Sequence, residues 1–454
     1  MVNFLLVIIP SVFFLLIKMA FSGIRFSDTN VYFYTATELL RGKVLYKDIF
    51  FTNLPLFPSI SSLYAFLIGR KIEWYYITAA LEVVVTGMLI FFITFKKTNN
   101  RLYSFISQCL YLFSFIILST SDYQTGVFLA SFFSVLAYLC YEKKQNFLTG
   151  VFLGCMLLTK AYYLPVAMAF FMYLFIKERD RFIKTLSGFL IICALVLFPS
   201  VITARKEFVK DVIFYSLFRS QGIDKLRIIS FFITHDVILF FLFIFTLLFP
   251  KKNILFFLTI TLSLLFIVFF QDIYFLYLNI LVPYLIFSFP DFLITINHQL
   301  KKYEFLPYFT ICVFLIINAI TYLKGYARLQ KLDNLQEILA IIKEAKPEYL
   351  YGTMEITPAF SYLSNVPLFD NIIDTNDNLF YKGVLNSNTL TRRLLSKKTI
   401  IVTKGLYYPS DNINKPITGA VVDEGQVLKY CTKLYTTPIK TEGLVNSITL
   451  FKCY

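Results

Sequence analysis

Charge is what this chain has least of. Only 16% of its 454 residues are Asp, Glu, Lys or Arg, against 57% hydrophobic, and the mean hydropathy is +0.68. Those values exclude an ordinary soluble globular domain and point to a polytopic membrane protein. Histidine is scarce as well: His235 and His298 stand alone, and the topology below puts them on opposite sides of the bilayer, which argues against a cysteine and histidine metal centre. Neither a Gly-rich phosphate loop nor a Cys-x-x-Cys pair occurs. The opening run MVNFLLVIIPSVFFLLIKMA has no basic leader and no small-residue cleavage site, so it is expected as a retained helix. Lys18, near the outer end of that helix, is expected to snorkel to the interface.

What is present in excess is apolar length, including 53 Phe and 31 Tyr. A bilayer core of roughly 30 Å takes about 20 apolar residues per helix. Eleven such segments are expected, near 3–23, 73–95, 102–120, 123–141, 147–164, 165–176, 185–203, 236–250, 253–271, 273–294 and 305–323. If the first runs outward, the cytoplasmic turns carry Lys96-Lys97 with Arg101, Lys143-Lys144, Lys177 with Arg179, Arg181 and Lys184, Lys251-Lys252, and Lys301-Lys302. All five are basic, as the positive-inside rule requires. The same orientation places a first loop, 24–72, a second, 204–235, and everything beyond 323 outside the cell membrane.

Lysine and arginine exceed the acids by 15, and the inner loops absorb much of that surplus without any nucleic acid partner. The outer loop 204–235 does not fit so simply, since it holds Arg205, Lys206, Lys210, Arg219, Lys225 and Arg227. Either anionic headgroups or a bound phosphate would account for it. Composition changes abruptly after Leu323. LQKLDNLQEILAIIKEAKPEYLYGT reads as an amphipathic helix and a strand, KKTIIVTKG, QVLKYCTKLY and NSITLFKCY as strands, and LTRRLLSKK as a helix. The tail 324–454 is therefore expected as a small extracytoplasmic α/β domain, in which Cys431 and Cys453 can form a disulfide. Cys109, Cys140, Cys155, Cys193 and Cys312 lie in apolar spans and read as small core residues.

The charges of 26–58 have an order of their own. Asp28, Tyr32 or Tyr34, Ala36, Leu39-Leu40, Gly42, LYKD at 45–48 and NLPLFP at 53–58 resemble the first external loop of GT-C glycosyltransferases, such as the protein O-mannosyltransferases and the aminoarabinose transferase of lipid A. TSDYQTGVF with Asp122 resembles the second acidic position of that superfamily. LTGVFLGCMLLTKAYYLP resembles its Gly-x-x-x-Gly helix ending in Lys, and IYFLYLNILVPYLIF its late aromatic helix. Two departures stand out: Thr29 follows Asp28 where the protein mannosyltransferases have Glu, and Asn53-Leu54-Pro55 replaces Lys-Pro-Pro.

The resemblance implies a membrane GT-C fold and inverting transfer of a sugar from a polyprenyl-phosphate donor to a lipid, glycan or protein acceptor. It implies a carboxylate base, Asp28 first and Asp48 next, and Asp122 as an acceptor or cation site, with a divalent ion left open. Such a transfer also needs a cationic cradle for the leaving phosphate, for which Lys160, Arg205, Arg219 and Arg227 are the candidates. Each has a plainer reading: Asp28 as the N-cap of a helix over 29–41, Asp48 in a surface pair with Lys47 or Arg41, Asp122 as a cap and Lys160 as a snorkelling lysine. The rival class is a lipid-linked sugar flippase or another transporter. A transporter would place ionisable groups near the midplane or show internal repeats. The orientation is open to a direct test. With Cys431 and Cys453 changed to Ser and one new cysteine near Ser387, an impermeant thiol reagent is expected to label intact cells; protection until lysis would reverse the topology.

Overall fold

The computed structural model describes residues 2–214, 222–250, 253–300, 305–376, 383, 385–406, 420, 422–441 and 444–453. The expected turns at Lys251-Lys252 and Lys301-Lys302, and Arg219, lie outside them. The chain opens with α1, Val2–Ala20, an apolar helix around Pro10. The first loop then forms two short helices, α2 (Thr29–Leu40) and α3 (Leu56–Leu67), before α4 (Ile72–Thr98) crosses 27 residues. The expected segment 102–120 is broken at Ser114 into α5 (Arg101–Phe113) and α6 (Phe115–Thr120). Next come α7 (Val127–Glu142), α8 (Asn146–Thr159), α9 (Leu164–Lys177) and α10 (Arg179–Phe208), which kinks at Arg205 with φ 34°. Helices α11 (Lys225–His235) and α12 (Val237–Leu248) meet at 106° across Asp236. They are followed by α13 (Ile254–Phe269), α14 (Val282–Leu300) and α15 (Phe305–Thr321). The expected helix 273–294 therefore starts late, after a 3-10 stretch at Phe275–Ile280.

Among the described residues, Ile72–Thr98, Arg179–Phe214 and Phe305–Tyr326 are long and apolar enough to cross a bilayer, and the bent pair α11 and α12 makes a fourth. The other apolar helices are shorter: at 1.5 Å per residue, the 16 residues of α13 reach about 24 Å. Breaks have visible causes. Asp236 ends α11, and its buried carboxylate accepts the Phe115 and Ile116 amides at 2.8 Å each, satisfying donors at the start of α6 that lack intrahelical partners.

Beyond α15 the chain changes character. A sheet of order β1-β2-β4-β3 is built from β1 (Tyr349–Gly352), β2 (Thr399–Leu406), β3 (Thr432–Thr441) and β4 (Leu444–Cys453). β1 and β2 run parallel, and the other pairs are antiparallel. Helices at Leu335–Ala345, Thr357–Ser364 and Ser387–Leu395 accompany the sheet. The expected strand QVLKYCTKLY is corrected: Glu424–Tyr430 is helical, because Asp423 caps it through the Gln426 amide, and β3 begins only at Thr432. Cys431 and Cys453 are joined by a disulfide.

The tightest helix contact lies between α8 and α10. A Cβ on Gly150 would stand 1.8 Å from the Thr185 carbonyl oxygen, and one on Gly188 would stand 2.1 Å from that of Phe147. Small residues let membrane helices approach to this distance. Gly150→Val is expected to lower stability in detergent by at least about 1–3 kcal/mol, the usual cost of overpacking. Gly325→Ala, where a Cβ meets nothing within 4 Å, is the neutral control.

Candidate functional site

Asp28 and Lys160 face the same cavity of about 310 Å³, with Tyr32, Asp272, Glu355 and Asp374 among its other walls. Their elements come from distant parts of the chain. Asp28 immediately precedes α2, yet its side chain makes no capping bond to the helix. The N-cap reading therefore fails for its carboxylate. Lys160 sits where α8 stops; its backbone is extended (φ −150°, ψ 109°) before a short 3-10 turn at Ala161–Tyr163. A cation at a helix C-terminus also meets the negative end of the helix dipole. Its side chain is 5% exposed, so it does not snorkel to solvent; instead Nζ donates to the Tyr32 hydroxyl at 2.9 Å. Asp272 follows α13 and accepts from Tyr162 at 2.8 Å, while the Tyr162 ring stacks on Tyr277 with centroids 3.9 Å apart.

A second cavity, of about 320 Å³, shares Thr52 and Asn53 with the first and is almost wholly apolar, lined by Leu54, Tyr162, Leu164, Phe266 and Phe270. Thr159 and Ala161 line this one, while Lys160 between them lines the polar one. The extended residue at the helix break thus sends one ammonium to one side and two small neighbours to the other.

The tail closes the polar cavity. Glu355 and Asp374 belong to it, and Thr52 donates to Asp374 at 3.3 Å. Glu355 accepts from the Thr353 hydroxyl and lies 3.8 Å from Lys404. Among the described residues, no three His, Cys, Asp or Glu side chains converge as metal ligands do.

Other expected site residues lie elsewhere. Asp48 does not line the cavity: it closes a turn, accepting the Val44 amide at 2.8 Å while its own amide donates to the Val44 carbonyl at 2.9 Å. Arg205 and Arg227 are exposed and outside it; Arg219 falls outside the described residues. Asp122 is buried in an ion cluster of its own, 3.0 Å from Lys18 and 3.7 Å from Arg25, and it accepts from Tyr322 at 2.9 Å. Lys18 accordingly does not snorkel; it is 3% exposed and turned inward by that carboxylate.

Arg25 was not anticipated from sequence. Its guanidinium donates to the carbonyls of Phe21 (2.9 Å), Ala327 (2.6 Å) and Leu329 (2.5 Å). Burial alone would lower its pKa, but Asp122 and the tyrosines around it reverse the effect and hold it above the ordinary arginine value. Thr29, the departure noted beside Asp28, accepts the Gln124 amide at 3.0 Å, and Gln124 in turn donates to Thr78 and Glu82. Asp272, Glu355 and Asp374 were missed too. Only Asp272 carried a local signal, as an acid just before the aromatic run at 273–287.

No protein-family model matches this sequence, and no curated protein matches it by sequence. Comparison of folds gives a match over nearly the whole molecule. A crystal structure of ArnT from Cupriavidus metallidurans bound to undecaprenyl phosphate aligns over 98% of this chain and 97% of that chain, with TM-score 0.60 and 12% identity. The chain thus shares the fold of that ArnT structure, with several apolar helices and a small C-terminal sheet.

The ion cluster makes a prediction of its own. Removing one member of a buried pair leaves the other charge uncompensated, typically at about 3–5 kcal/mol. Asp122→Asn leaves buried Lys18 and Arg25 without their carboxylate and is expected to lower the unfolding free energy in detergent by about that much, and Asp122→Asn with Lys18→Met by less than the single change. A double variant less stable than Asp122→Asn would show that Lys18 and Asp122 do not act as a pair.

Proposed function

We propose that this protein is a membrane glycosyltransferase that moves a sugar from a polyprenyl-phosphate donor to a lipid, glycan or protein acceptor on the outer face of the cytoplasmic membrane. The observation that carries the reading is the adjacency of the two cavities, one polar with Asp28 and Lys160, one apolar, divided at Thr159-Lys160-Ala161. A polyprenyl phosphate is itself divided in that way, into a charged head and a long hydrocarbon. The ArnT structure of the same fold contains undecaprenyl phosphate, which supports the choice of lipid.

In this reading the isoprenoid lies along Leu164, Phe266 and Phe270 and leaves its phosphate beside Lys160. Asp28 accepts the proton of an acceptor hydroxyl. The acceptor oxygen forms its bond to the anomeric carbon as the bond from that carbon to the phosphate oxygen breaks, and the electron pair leaves on the phosphate. The Lys160 ammonium stabilises that developing charge. Attack opposite the departing phosphate inverts the anomeric carbon. Asp48 keeps its turn, and exposed Arg205 and Arg227 attract anionic headgroups.

Two substitutions test this reading. Because Asp28 makes no capping bond, Asp28→Asn is expected to fold and bind donor as the native protein does but to transfer no sugar. Lys160→Met keeps the apolar stem and discards the charge. One charge-assisted contact contributes roughly 1.5–3 kcal/mol, so affinity for polyprenyl phosphate is expected to fall about 10- to 100-fold. Transfer is read as sugar covalently attached to an acceptor in detergent, where no second compartment exists. Native turnover by Asp28→Asn would move the base elsewhere. Donor binding without transfer over a broad acceptor panel would favour the flippase.

A further inference from the structure

The tail is held against the Asp28 turn by a small set of buried hydrogen bonds that the reaction above does not use. Glu355 stands in the turn that leaves the carboxyl end of β1. Its backbone carbonyl accepts two donors from the first loop, the Ser27 amide at 3.0 Å and the Asn30 side-chain amide at 2.5 Å. These donors flank Asp28 in the sequence. The carbonyl of one cavity-lining acid therefore fixes the residues on either side of the other.

Asn30 is fully buried, and its orientation is determined by its partners. Nδ2 donates to the carbonyls of both Arg25 (2.8 Å) and Glu355, while Oδ1 accepts from the Tyr76 hydroxyl at 2.8 Å. The flipped amide would aim an acceptor at two carbonyl oxygens. The Tyr76 hydroxyl faces two acceptors, Asn30 Oδ1 at 2.8 Å and the Arg25 carbonyl at 3.0 Å, and its oxygen accepts the Arg25 amide at 3.1 Å. Arg25 is in turn held by the residue that follows α1 and by the chain beyond α15. The mount on the tail side is equally constrained. Gly352 ends β1 at φ 150°, and a Cβ there would stand 1.9 Å from the Val402 carbonyl oxygen. Thr353 donates its amide to that same carbonyl at 2.9 Å.

We propose that Asn30 is a positioning residue, which latches the Glu355 turn of the tail to the Asp28 turn and so sets the two carboxylates across the cavity. The inference rests on the functional reading above and adds to it that the tail is part of the reaction centre. A misplacement of about 1 Å can cost roughly 100-fold in rate. The hydrocarbon and phosphate contacts at Lys160, Phe266 and Phe270 involve none of the latch atoms.

The test uses the full chain. Asn30→Asp keeps the shape and replaces the two N–H donors with an acceptor. Its kcat is expected to fall about 10- to 100-fold, with Kd for undecaprenyl phosphate within about twofold of native. Hydrogen exchange is expected to speed up at the Ser27 amide and across 353–357, but not in β2 or β4. Tyr76→Phe, which retains the ring and loses the hydroxyl, is expected to show the same changes in smaller measure, and it carries the test if Asn30→Asp fails to fold. Faster exchange with native kcat would overturn the positioning role. So would a fall in kcat with unchanged exchange at 353–357, or a loss of lipid binding in step with kcat. A native chain that transfers no sugar would sink the functional reading and this inference together; active native protein with an unaltered Asn30→Asp would sink this inference alone.

Discussion

A guanidinium buried to 1% exposure has to be given partners for its donors, and in this protein that requirement falls on Arg25. Its partners are the end of α1 at Phe21, the chain after α15 at Ala327 and Leu329, and Asp122 ahead of α7. Each partner belongs to a different part of the fold, so satisfying one side chain brings three distant stretches of chain together. The stretch that follows inherits that position. Phe26 donates to the Gln330 carbonyl, Leu332 donates back to Ile24, and Ser27 donates to Glu355. Asp28 is thus held on a segment whose neighbours are bonded to the tail; it lines the cavity, and its carboxylate does not cap the helix it precedes.

The second organising feature is the sorting of polar from apolar surface around one break in a helix. If α8 ran on through Lys160, residues 159, 160 and 161 would point 100° apart around a common axis and no single wall could separate two chemistries. An extended residue followed by a 3-10 turn alternates direction as a strand does, and the two cavities follow. Tyr162, in that turn, touches both environments: its ring lies among Phe266, Phe270 and Tyr277 while its hydroxyl donates to Asp272.

Much of this could be read from sequence, for identifiable reasons. Apolar runs, basic turns and the change of composition after Leu323 reported helices and a separate tail because bilayer thickness and hydration constrain them locally. Asp28 and Lys160, which line one cavity, each lie in a patterned stretch at an element's end. Asp48 and Asp122 lie in equally patterned stretches and belong to a turn and an ion cluster, since residue type at an element's end does not say which way the side chain faces. Helix breaks at Ser114 and before Val282 were hidden inside uniformly apolar runs, where hydropathy is the same whether the backbone bends or not. Glu355 and Asp374 could not have been found, since nothing in a sequence says which turn of a remote sheet will be laid over residue 28.

The central claim is that one lipid occupies both cavities, head beside Lys160 and tail beside Phe266 and Phe270. A cryo-EM structure of the native protein with undecaprenyl phosphate tests it most directly. The account predicts density for the phosphate within hydrogen-bonding reach of the Lys160 ammonium, on the same side as Asp28, and density for the isoprenoid continuing past Thr159 and Ala161 into the apolar cavity. A lipid ordered elsewhere on the protein, with both cavities filled only by water, would contradict it.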